Sequence, residues 1–126
     1  MKITATIARI MTGCVFVFFG LNFFLQFLHS PPPPSGPASD FAKALFVSHY
    51  FYVVGALQLA GGVLCLSGRF VPLGLTLLGP VIVNILLFHI LLSPTGLAMA
   101  IVVAVLALIV LWYHRASFAG LVKSDA

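Results

Sequence analysis

The residues that could do chemistry in this chain are few, and nearly all are neutral. Arg9, Asn22 and Gln26 come early, His49, Tyr50, Tyr52 and Gln58 follow, and Thr76, Asn84 and His89 complete the set. Each is embedded in apolar sequence. Asp40 and Asp125 are the only carboxylates, and neither falls in an apolar run. No nucleophile stands with a base, no carboxylates are paired, and no phosphate-cradling glycine loop is present. Catalytic residues are therefore assigned to none, and no activity of the chain's own is expected. His49 and His89 could in principle ligate haem or a metal from facing helices. Without a second histidine pair or a carboxylate nearby, that reading is disfavoured. Cys14 and Cys65 lack the Cys-x-x-Cys spacing of a thiol-exchange centre and read as small packing residues.

The composition explains why these groups matter. A soluble chain of 126 residues would carry about thirty charged side chains. This one has six Lys or Arg and two Asp or Glu, with 62% hydrophobic residues and a mean hydropathy of +1.22. That leaves too little polar surface for a water-soluble globule, so the solvent is the lipid bilayer. A cytosolic enzyme and a disordered chain are excluded. The six cations are scattered, so a nucleic-acid partner is excluded as well.

A spanning helix needs about 20 apolar residues. Four stretches meet that length: about 5–28, 42–66, 70–92 and 96–113. The short connections Ser67-Gly68-Arg69 and Ser93-Pro94-Thr95 force antiparallel neighbours. The expected fold is an all-α integral membrane protein, a single antiparallel bundle of four transmembrane helices over 1–126. A loop at 29–41, stiffened by Pro31-Pro32-Pro33-Pro34, joins the first two spans. The first run is longer than a signal-peptide core and is interrupted by Arg9, Asn22 and Gln26, so it reads as a retained span. Lys2, Arg9, Arg69, Arg115 and Lys123 fall at one end and only Lys43 at the other, which puts both termini in the cytoplasm.

Polar groups inside a bilayer either bond a neighbouring helix, snorkel, or serve function. Asn22, Gln26, His49, Asn84 and His89 fall toward the outer end, and Arg9 and Gln58 toward the inner half. Angular phase prevents a single cluster: His49 and Gln58 are about 180° apart and Asn84 and His89 about 140° apart on their helices. Asn22, Gln26 and His29 form one stripe. Phe51, Gly55, Gln58, Gly62 and Cys65 form a second, and Arg9, Gly13 and Gly20 a third narrow enough to dock against the Gln58 face. In the last span, Ala100, Ala104 and Ala107 make a close-packing stripe. Gly79-Pro80 predicts a kink, with the Thr76 hydroxyl a local partner.

Several of these segments, in this order, resemble the DoxX family of small four-helix bacterial membrane proteins. They are Ile7-Ala8-Arg9-Ile10 with Gly13 and Phe16, Gly20-Leu21-Asn22, Gly55-Ala56-Leu57-Gln58-Leu59-Ala60-Gly61-Gly62-Val63-Leu64, Arg69-Phe70-Val71-Pro72-Leu73 and Val83-Asn84-Ile85-Leu86-Leu87-Phe88-His89. The resemblance extends over nearly the whole chain apart from the polyproline loop and the last ten residues. It implies a subunit near quinone chemistry, because the family's founding member is a small membrane subunit of a thiosulfate:quinone oxidoreductase. It also implies an inner-membrane location, quinone as the cofactor to consider, and Arg9, Gln58, Asn84 and His89 as matching polar positions. Two departures stand out: Gln58 occupies a position that is commonly acidic, and Phe23 one that is commonly lysine. The surface is compatible with a membrane or peripheral redox partner and with a homo-oligomer. The other readings are a small transporter or channel for a neutral solute, and a purely structural membrane protein.

Overall fold

A computed structural model describes residues 1–29 and 34–124, all helical or in short connections. Ser30 to Pro33, the first half of the expected polyproline spacer, and Asp125 lie outside the described residues. Helix α1 runs Lys2–Leu25, α2 Pro37–Val47, α3 Tyr50–Ser67, α4 Val71–Leu91, α5 Leu97–Tyr113 and α6 Arg115–Phe118. Single 3-10 turns at Pro94–Gly96 and Ala119–Val122 lead into α5 and follow α6.

Four elements are long and apolar enough to cross a membrane: α1, α3, α4 and the combined Pro94–Tyr113. Only 22–33% of each one's most apolar window is buried within the chain. The remaining apolar surface is suited to a hydrocarbon solvent. This is an all-α membrane bundle.

The expected second span, 42–66, is two helices. Ser48 turns its hydroxyl back to the Ala44 carbonyl at 2.6 Å and accepts the Tyr50 N–H at 3.2 Å. His49 then takes a left-handed conformation, with φ of 62°. A hydroxyl that competes for backbone groups ends a helix without Gly or Pro, so the break is invisible to hydropathy. Segment α2 is thereby detached from the span.

The centre is built from close backbone approach. Helix α1 makes its most extensive contact with α3, and α3 packs next on α4. A Cβ on Gly13 would lie 2.9 Å from the Gly62 carbonyl oxygen, and one on Gly61 would lie 3.0 Å from that of Gly74. Small residues let helices associate in lipid, where no hydrophobic force drives them together. Phe16, Cys65, Leu78 and Val110 fill the core between these seams. On α5 the buried face is Ala100, Val103, Ala107 and Val110, while Ala104 sits half-buried at its edge.

The α3–α4 hairpin closes on two left-handed residues, Gly68 at φ 72° and Phe70 at φ 57°. Ser67 braces it: its hydroxyl donates to the Leu64 carbonyl at 2.9 Å and accepts the Arg69 N–H at 3.2 Å. Helix α4 continues through Pro80. At the far end of α5, the Arg115 guanidinium stacks 4.5 Å over the Trp112 ring and donates to the Trp112 carbonyl.

Candidate functional site

With four spans, both termini emerge at one end of the bundle, here called proximal; the α2 end is distal. Arg9 lies near the proximal end of α1, half-buried. It does not reach Gln58. Its Nη1 donates to the carbonyls of Cys65 and Leu66, the latter at 3.1 Å, and lies against Gly68. The last carbonyls of α3 have no partner within their own helix, and a cation there also answers the negative end of the helix dipole. Arg9 is a cap supplied by one helix to another.

Gln58 is 4% exposed, and its Oε1 has no hydrogen-bond partner among the described residues. Its Cβ lies 3.2 Å from where a Cβ of Gly20 would stand. That places it level with the distal part of α1 and not in the proximal half with Arg9, because α1 and α3 are antiparallel and Arg9 meets residues 65 and 66. The docking of the Arg9, Gly13, Gly20 stripe on the Gln58 face is present, carried by the glycines.

The other polar groups bond the chain's own backbone. Asn22 accepts the Leu28 N–H on Oδ1 at 2.9 Å and the Gln26 N–H on its carbonyl at 2.8 Å, closing α1 at a left-handed Gln26. Asn84 donates to the Pro80 carbonyl of its own helix at 2.8 Å. The Thr76 hydroxyl donates one turn back, to Pro72 at 2.9 Å. His89 Nδ1 lies 3.0 Å from the Ser93 carbonyl, which only accepts, so that nitrogen carries the hydrogen. The ring packs directly on Gly96, where a side chain would collide with it. His49, by contrast, is exposed in the α2–α3 turn and stacks on Tyr52 at 5.9 Å. The two histidines therefore have separate environments. Among the described residues, no three His, Cys, Asp or Glu side chains are grouped to hold a metal.

Sequence reasoning passed over Thr12, which is fully buried and donates to the Ala8 carbonyl at 2.7 Å. Its position one residue before Gly13, on the seam, was the available signal.

Two shallow clefts open at the distal end. One, of about 190 Å³, is lined by Asn22, Phe23, Gln26, Leu28, His29 and Phe46. The other, of about 150 Å³, lies between α2 and α4, with Phe41, Asn84 and Leu91 among its walls. Both are smaller than the ~300–1,000 Å³ of pockets that enclose a drug-sized ligand.

The DoxX family model matches residues 4–90. The chain belongs to the DoxX family. Every segment that carried the resemblance falls inside the DoxX match, but the match ends at the last turn of α4. It is thus shorter than the sequence resemblance implied, and α5 lies beyond it. No curated protein and no solved structure matches this DoxX chain.

Proposed function

We propose that this DoxX protein is an accessory subunit of a membrane redox complex in the bacterial cytoplasmic membrane, performing no chemistry itself and presenting helix faces to a partner protein. The observation that carries the reading is how the intramembrane polar groups are used. Arg9, Asn22, Asn84 and His89 each bond backbone groups of the chain's own helices or turns. Side chains committed in this way hold a scaffold and are not poised to transfer protons or electrons. The family supplies the redox context.

A quinone fits this reading at a surface shared with the partner, since each distal cleft is too small to enclose a ring and its tail. Transport of a neutral solute draws support from the distal polar groups, but the glycine seams that close α1 on α3 and α3 on α4 favour a solid scaffold. The cytoplasmic placement of the termini rests on the charge asymmetry, with Lys43 the lone cation at the distal end.

Isolation from native membranes is the test. The expected result is co-purification of a redox subunit, with quinone-linked turnover of that complex lost when this chain is deleted. A protein recovered alone, with turnover in the membranes unchanged by its deletion, overturns the proposal. Cysteine probes at Ser35 and Ser124 check orientation: an impermeant reagent applied to intact cells should label the first and spare the second.

A further inference from the structure

The detached helix α2 has a composition that the spans lack. On its helical wheel Ala38, Ala42 and Leu45 share one side, and all three are buried or half-buried. Asp40 and Lys43 point the opposite way and are exposed. Phe41 and Phe46 stand on the two flanks between these faces, about 140° apart. The Phe41 ring lies 5.4 Å from Phe88 near the end of α4, and the Phe46 ring 4.7 Å from Phe51 in the first turn of α3. Helix α2 thus rests on the distal ends of two spans. Each ring forms one wall of a distal cleft, and each remains nearly half exposed, at 44% and 49%.

Those half-exposed rings continue a surface that already faces lipid. Tyr50, Tyr52 and Val53 on α3 and Leu87 and Leu91 on α4 are exposed at the same end, with the two tyrosines where an interfacial aromatic belt belongs. An amphipathic helix with aromatic flanks and an outward charged face is suited to the boundary between headgroups and acyl chains. We propose that α2 is an interfacial helix whose partner is the lipid of the distal leaflet: Phe41 and Phe46 dip into the acyl region while Asp40 and Lys43 stay among the headgroups. The Ser48–His49 break is what permits this, because it frees α2 from the axis of α3. This inference is independent of the redox reading and of which leaflet is distal.

Tryptophan depth measurement tests it. The chain has a single Trp, so a Trp112→Phe background carrying Phe46→Trp reports one position in liposomes. Lipids brominated near the headgroup should quench it at least about twofold more than lipids brominated at the chain ends, and aqueous iodide should quench it weakly. Phe41→Trp, on the other flank, should give the same profile and keeps the test open if the first variant does not fold. Strong iodide quenching without lipid quenching places α2 in water and overturns the proposal. Protection from both quenchers places it under protein and overturns it equally.

Discussion

From Arg9 to Gly20, α1 meets α3 through backbone: Gly13 faces Gly62, and Gly20 lies over the peptide of Leu59. Beyond Gly20 the same pair of helices meets through rings. Gly55 packs on Phe23 and Phe24, Phe24 stacks on Tyr52 at 5.5 Å, and Phe23 lies 6.1 Å from Phe51. The two regions tolerate change differently. A backbone contact has no rotamer with which to accommodate an added atom, whereas aromatic side chains can shift. The proximal region therefore fixes how the helices sit, and the distal region, with its clefts and separate helix, is left free to adapt.

The largest effect should come from filling the backbone seam. A Cβ at Gly62 would lie 2.9 Å from the Val17 nitrogen and 3.1 Å from the Gly13 carbonyl. Gly62→Leu should cost about 3 kcal/mol or prevent folding, read as the midpoint of unfolding in a denaturing detergent titration. An unchanged midpoint would erase the contrast between the two regions. Arg9→Met removes the cation from the α3 carbonyls and should cost about 2 kcal/mol in the same titration. Its heat sensitivity should rise even where the helical circular dichroism at low temperature is unchanged.

Gln58→Leu should act in the opposite direction. Replacing a buried amide whose oxygen has no partner among the described residues with an apolar chain of similar size should stabilise the isolated protein by about 1 kcal/mol. Destabilisation seen only in native membranes would instead reveal a donor contributed from outside the chain, and would sharpen the comparison by moving Gln58 from scaffold to site. The smallest effect is expected distally. Asn84→Ala loses one bond to its own helix and should change stability by less than about 0.6 kcal/mol. A larger loss, seen only in native membranes, would mark the α4 cleft as occupied there.

The spans were legible because a bilayer imposes a length and a composition on any helix that crosses it. The α1–α3 seam was legible too, since glycines recur at helical spacing on both partners. Two things were not. The start of the second span was not legible, because Val47-Ser48-His49-Tyr50 keeps an apolar average while the Ser48 hydroxyl redirects the backbone. The partner of Arg9 was not legible, because matching polar side chains ignores main-chain carbonyls. Gly68 was the available clue: a left-handed glycine after the last turn marks where the free carbonyls of α3 lie. The same blindness explains His89, whose partner is the Ser93 carbonyl.

The Arg9 contact also has a history within each molecule. The residue is made early, yet the carbonyls it caps belong to Cys65 and Leu66, so α1 enters the membrane with its guanidinium uncommitted. Until α3 arrives, the favourable place for that charge is among lipid phosphates. Docking of α3 supplies the carbonyls that take the place of phosphate as its partners. One arginine thus makes the cap on α3 depend on a residue more than fifty positions earlier in the chain.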